Sequence, residues 1–298
     1  MSGREPAATV PVTVVLPTIG RPELVRACLG SLARCEPRAD EILVVDSSDD
    51  DLVAGVVAGF EEARARRIEC RVPGVGSAFN LGLREARHEI VLLTNDDCTV
   101  EPSWVERGRR HASRDGDAIV TGRVRPRGDP AVVPSTIDEP VRREYFREVA
   151  FVLYTQCMAL HRSVLLEFGG FDGRIQPSAE DNDLSYRWLR AGLRIRYEPD
   201  FVVWHHDWRS REQLERLYVG YGVGQGMVYG KHLRRGELAV LPLLGATVYW
   251  SVRAVVARLV RGAEPRPDPR LGMLRGLPTG LVRGWRAARG PGSTTVPP

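Results

Sequence analysis

Three short apolar runs constrain this chain more than any other feature: Val12-Thr13-Val14-Val15-Leu16, Ile42-Leu43-Val44-Val45 and Ile90-Val91-Leu92-Leu93. Each has the length and β-branched content of a strand buried on both faces, and stretches with helical periodicity separate them. Each also stops abruptly in polar or turn-forming residues: Pro17-Thr18, Asp46-Ser47-Ser48 and Asn95-Asp96-Asp97. Residues 51–67 carry a helical pattern, Ile68 to Val72 fits a further strand, and a helix is expected through Asn80, Leu81 and Leu83. Strand alternating with helix specifies an α/β fold with a mostly parallel central sheet, flanked by helices and joined by right-handed crossovers. In such a sheet ligands sit at the carboxyl ends of the strands, so carboxylates placed there can hold a divalent cation against an anionic substrate.

The remaining composition narrows the classes. A length of 298 residues suits one large or two modest domains, and the net charge of +4, from 42 basic and 38 acidic side chains, gives no argument for nucleic acid. Five cysteines, none in a C-x-x-C pair, fit reduced thiols in a cytosol and disfavour thiolate metal binding. The first eight residues lack an apolar signal core, so residues 1–10 read as a loose tail and the expected location is cytoplasmic. Leu238 to Val260 is apolar but interrupted by Pro242, Gly245, Arg253 and Arg258, and Arg-rich sequence with Trp285 follows. That pattern suits peripheral contact of 238–290 with the inner face of the cell membrane better than a span; the alternative is a helix pair packed on the catalytic domain.

A second informative region runs from Ser178 to Trp208. Glu180-Asp181-Asn182-Asp183 precedes an amphipathic helical run, and the short strand Phe201 to Trp204 ends in His205-His206. Acids at a helix start can merely complement its dipole, but an imidazole beside carboxylates also makes a mixed oxygen and nitrogen site suited to manganese or magnesium. Residues 126–150 have no clear period and read as an irregular loop. Gly74-x-Gly76 lacks the third glycine of a dinucleotide fingerprint, which disfavours a nicotinamide cofactor.

Taken in order, V-T-V-V-L-P-T, E-I-L-V-V-D-S-S, G-S-A-F-N-L-G-L, I-V-L-L-T-N-D-D, G-G-F-D, A-E-D-N-D-L-S-Y-R and V-V-W-H-H resemble glycosyltransferase family 2, inverting enzymes of GT-A fold, over residues 12 to about 208. The resemblance implies a nucleotide-sugar-binding half over 11–125, an acceptor and catalytic-base half over 151–209, and a C-terminal helical extension from 210. It implies that Pro17, Thr18, Asp46, Ser48, Gly76, Asn80, Asn95 and Asp96 line the donor pocket. Asp97 and His205 would bind Mn2+ or Mg2+, with His206 the fallback for His205, and Asp181 of the Glu180-Asp181 pair would be the general base. The implied donor is a nucleotide-diphosphate sugar, UDP by default, and the acceptor a saccharide, a lipid-linked sugar or a small molecule. Two positions depart from the family pattern: Asn95 stands where the D-x-D motif begins with Asp, and Phe79 replaces a basic residue. They support one alternative, a degenerate nucleotide-sugar-binding accessory protein; a nucleotidyltransferase is the other, since it shares the α/β layout and metal carboxylates, although P-T-I-G-R-P lacks the lysine it normally needs.

Overall fold

The computed structural model describes residues 10–114, 116–130, 133–262 and 267–288, so the expected N-terminal tail lies outside it except for Val10. The first half alternates as its periodicity predicts: β1 (Val12–Thr18), α1 (Pro22–Leu32), β2 (Glu41–Asp46), α2 (Leu52–Ala58), β3 (Ala65–Glu69), α3 (Val75–Glu85) and β4 (Ile90–Leu93). The second half adds β5 (Cys98–Val100), α4 (Trp104–Ser113), β6 (Ala118–Arg127), β7 (Arg143–Phe146), β8 (Met158–His161), α5 (Arg162–Glu167), α6 (Glu180–Arg190) and β9 (Arg194–His206). Three helices close the chain: α7 (Arg211–Arg234), α8 (Leu241–Val260) and α9 (Pro269–Ala287).

One sheet runs in the order β3-β2-β1-β4-β8-β6-β9-β5, with β7 also on β9. The block β3-β2-β1-β4 is wholly parallel, whereas β8 is antiparallel to both β4 and β6. The parallel block is continuous in the first half, β6 and β9 form a further parallel pair in the second, and β8 marks where the strand direction changes. β1, β2 and β4 are buried along their whole length, which is why they read as unbroken apolar runs. Apolar side chains fill both faces, with Trp104 and Phe201 on one side and Phe79 and Trp188 on the other.

Four segments differ from expectation. The helix predicted over 51–67 stops at Gly59, and the strand expected from Ile68 to Val72 instead covers Ala65–Glu69. Arg64, left-handed at φ 62°, makes the turn between them, a conformation that periodicity does not signal. The segment 126–150 is not wholly irregular, because β9 captures Arg143–Phe146 as an antiparallel partner. The run from Tyr154 to Leu160 begins with a 3-10 turn over Thr155–Cys157, so its strand starts only at Met158.

α7 and α9 lie side by side in parallel, close enough for backbone contact. Gly222, Gly226 and Gly230 of α7 face Gly272, Gly276, Gly280 and Gly284 of α9, and a Cβ added at Gly280 would fall 2.1 Å from the Val223 carbonyl oxygen. Only glycine permits that approach. α8 connects them as one continuous helix: Pro242 sits in its first turn, where a missing N–H costs nothing, so the expected interruption does not occur. The stretch Leu238–Val260 is long and apolar enough to cross a membrane, yet the 18-residue window within it is only 11% buried.

Candidate active site

The carboxyl ends of β1, β2 and β4 converge. Thr18 at the end of β1 donates its hydroxyl to Asp96 Oδ2 at 2.7 Å, and Arg21 Nε reaches the same oxygen at 2.8 Å. Asp46 at the end of β2 accepts from Arg67 Nε at 2.7 Å and from the Ser48 hydroxyl at 2.5 Å. Ser48 Oγ in turn accepts from the Gly20 amide at 2.6 Å, which ties the two loops together. Pro17 lies in register with Val45 and so belongs to the floor of this end of the sheet.

Asp97 is placed by strand pairing. β5 starts just after it and runs antiparallel to the end of β9, with Cys98 opposite His205. His205 Nε2 therefore lies 3.2 Å from Asp97 Oδ2, while His206 points away to the Thr99 hydroxyl at 2.8 Å. Adjacent strand residues face opposite sides, so only one imidazole can enter the site. Arg209 Nη2 and Trp208 Nε1 also donate to Asp97 Oδ2, at 2.8 and 3.0 Å. Both Arg21 and Arg209 stack on the Trp208 ring, at 5.1 and 4.3 Å. Arg21, Trp208 and Arg209 did not emerge from the sequence, and together they surround the acidic pair.

These surroundings separate the two carboxylates. Burial raises Asp97, but His205, Arg209 and Trp208 outweigh it and hold the group far below the usual carboxylate range. Burial also raises Asp96, against Arg21 and with the help of its charged neighbour, and there burial prevails. Several buried polar atoms here have no hydrogen-bond partner: Thr94 Oγ1, Asn95 Oδ1, Asp96 Oδ1 and both ring nitrogens of His205. His205 Nε2 is near Asp97 without being aligned for a hydrogen bond. Orphaned acceptors are costly when buried, and this carboxylate, amide and imidazole set suits a hard or borderline divalent cation. Another cluster, His111, Glu198 and Asp200, also has ligand spacing. Its acids are already engaged, Glu198 by Arg142 at 2.6 Å and Asp200 by Arg110 at 2.6 Å, so it is an ion-pair knot.

The other acid pair opens α6. Ala179 stands before it in the left-handed region at φ 71°, a strained conformation for a residue with a Cβ. Glu180 is buried and Asp181 half-buried. Burial drives both up, Asp181's charge raises Glu180 further, and the Asn182 amide at 2.7 Å only partly offsets the rise at Asp181. Gly76 brings α3 against this pair, since a Cβ there would lie 3.4 Å from that of Glu180. Asn80 is engaged elsewhere, with its amide clamping the backbone of Phe171 at 2.8 and 2.9 Å.

α7 joins the two pairs. Its Gln225 accepts from Asn182 Nδ2 at 2.7 Å, and Gly224 packs onto the Ser178 carbonyl. Tyr221 on the same helix is half-buried, desolvation pushes its phenol up to about 12, and the charges of Asp97 and Asp181 both add to the rise. That hydroxyl lies 3.0 Å from Ser135 Oγ, so the 126–150 segment also reaches this space. Deeper, Asp183 pairs with Arg187 at 2.8 Å, His232 at 2.9 Å and Lys231, fixing α6 to the C-terminal end of α7.

The chain and its fold are similar to known proteins. The chain is 28% identical over 222 residues to the pre-mycofactocin glycosyltransferase of Mycobacterium tuberculosis, an alignment covering 67% of this chain and 45% of that protein. The chain thus spans about half the length of that relative. It is 29% identical over 230 residues to glycosyltransferase AglE of Haloferax volcanii, covering 74% of each. Among solved structures, the mannosyltransferase PcManGT from Pyrobaculum calidifontis, in complex with GDP-Man and Mn2+, superposes with a TM-score of 0.63 at 18% identity, over 94% of this chain and 90% of that one. The sheet and its flanking helices are therefore those of the GT-A fold. The family model for glycosyl transferase family 2 matches residues 13–167, and the chain belongs to that family.

Proposed function

We propose that the protein is an inverting glycosyltransferase that moves a sugar from a nucleotide-diphosphate donor to an acceptor hydroxyl. The observation that carries this reading is the contrast between two acid pairs that share Tyr221 as a neighbour: Asp97 is ringed by cations, and Asp181 is desolvated with none. A pair with raised pKa values suits proton transfer, and a clamped carboxylate suits charge neutralisation. Asp181 takes the proton of the acceptor hydroxyl as that oxygen attacks the anomeric carbon. Glu180, raised further than its neighbour, stays protonated and leaves Asp181 as the ionised member. Asp97 and His205 would hold Mn2+ or Mg2+, with Asn95 and Asp96 beside them; when bound, that ion offsets the charge growing on the leaving diphosphate. Arg21 and Arg209 add fixed positive charge to the same end. Pro17, Thr18, Asp46, Ser48 and Gly76 shape the nucleoside side of the cleft, and Tyr221 with Ser135 faces the acceptor.

PcManGT holds GDP-Man and the family resemblance favours UDP, so a panel of UDP- and GDP-sugars is the informative test. The expected result is release of nucleoside diphosphate from one donor only when Mn2+ or Mg2+ is present, abolished by Asp97→Ala. Metal-independent release, or release undiminished in that variant, would overturn the assignment.

A second reading concerns location. α8 leaves Tyr249, Trp250, Val256, Leu259 and Val260 exposed, Val260 at 82%, and α9 adds Val282 and Trp285. Exposed Arg253, Arg261, Arg283 and Arg286 accompany them. An apolar strip with aromatic and cationic side chains matches a bilayer interface with anionic headgroups, which would place an envelope or lipid-linked acceptor near the cleft. Flotation with phosphatidylglycerol vesicles should capture the protein and lose it in Trp250→Glu/Val256→Glu. A wild-type protein that stays in solution at low salt removes this reading and leaves the catalytic one intact.

A further inference from the structure

A cavity of about 660 Å3 lies between the outer side of α3, the turn Phe168–Arg174 and the C-terminal end of α7. Asp96, Asp97, Glu180 and Asp181 do not line it. Six cationic side chains do, Arg71, Arg84, Arg174, Arg187, Lys231 and Arg235, against two carboxylates, Glu69 and Asp172. Three of the six are internally paired: Arg174 grips Asp172 with two nitrogens at 2.8 Å each, Lys231 lies 3.0 Å from Asp172, and Arg187 binds Asp183. These pairs make a fixed wall, with Lys231 only 3% exposed. Arg71 meets Glu69 at a loose 3.4 Å. Arg84 and Arg235 stand exposed at the rim, and neither guanidinium has a hydrogen bond or ion pair among the described residues. The floor is apolar, from Leu81 and Phe168.

A concave site of this size with an apolar floor and surplus rim arginines matches an anion on an apolar body, because guanidinium forks recognise phosphate oxygens well. We propose that this cavity is a second ligand site, which takes a phosphate monoester or diphosphate carried on an apolar group. Two sources offer that chemistry, a soluble phosphorylated metabolite and a phospholipid headgroup. The cavity shares none of the four acids with the cleft, and Asn80, which the family resemblance assigns to the donor pocket, lines this cavity instead.

The test is calorimetric titration of the full chain with inorganic pyrophosphate in EDTA-containing buffer, for the wild type, Asp97→Ala and Arg84→Glu/Arg235→Glu. Both substituted arginines are exposed, so the double variant should fold, and its unchanged thermal midpoint without ligand checks this. The expected result is equal affinity in the wild type and Asp97→Ala, and affinity at least about tenfold weaker in the double variant, equivalent to about 1.4 kcal/mol. Undiminished binding in the double variant overturns the proposal, and so does a changed affinity in Asp97→Ala, which would place the anion in the cleft, where removing that carboxylate frees Arg209 to hold it. Displacement of pyrophosphate by phosphatidic acid vesicles but not by soluble short-chain alkyl phosphates assigns a headgroup; the reverse assigns a soluble ligand. Displacement by neither removes the apolar body from the proposal.

Discussion

Asp96-Asp97 and Glu180-Asp181 are both adjacent acids at the start or end of a secondary-structure element, yet their surroundings are opposite. Arg21, Arg209 and His205 crowd the first pair within 3.2 Å, so Asp97 stays charged even though it is buried. No cation lies within ion-pair distance of Glu180 or Asp181 among the described residues, so burial acts unopposed by positive charge and both rise. The same residue type is held charged in one place and pushed toward its protonated form in the other. Which role a carboxylate takes is decided by the company the fold gives it.

The comparison can be broken most directly at Asp181. Asp181→Asn should lower kcat by about 10²–10⁴-fold with donor affinity nearly unchanged, as removal of a positioned base does. Wild-type turnover in that variant would exclude Asp181 as the base. On the cationic side, Arg209→Ala should raise the KM for donor and cut kcat/KM by roughly 10–100-fold, since it removes one charge-assisted partner of the diphosphate end. The acidic limb of the pH profile sharpens the contrast. Asp181 must be ionised to accept a proton and its pKa is raised to about 6, so activity should fall as pH drops through about 6 instead of near 4. The smallest effect is expected at Glu180→Gln. A carboxyl already neutral at pH 7 loses little by becoming an amide, so kcat should stay within about threefold and the acidic limb should stay near pH 6, since no charge is removed from beside Asp181. A large loss of kcat would mean that Glu180, not Asp181, carries the proton.

Much of this was legible in the sequence because it rests on periodicity. Unbroken apolar runs gave the buried parallel strands, and their polar endings located Asp46 and Asp97. Strand alternation predicted that only one of His205 and His206 enters the site, though not which one; the Cys98–His205 register decides that. Arg21, Trp208, Arg209 and Tyr221 were not legible. Among 42 basic residues a single arginine has no periodic signature, and these four meet only after α7 and the β9 turn fold over the cleft. Asn80 shows how a motif residue can also serve the fold: its place in a family motif suggests a ligand contact, and its amide donates one hydrogen bond to the Phe171 backbone and accepts one from it.

The glycine seam between α7 and α9 has a consequence for folding fidelity. A repeat of glycine at every fourth position looks the same after a slide of one turn, so it permits close approach without specifying alignment. Unique pairing must come from contacts that do not repeat: Tyr229 buried in one cluster with Leu277, Met273 and Leu281, and Arg234 stacked on Trp285 at 5.2 Å. These side chains act as a vernier, setting the one alignment among those that the glycine ridges alone would tolerate.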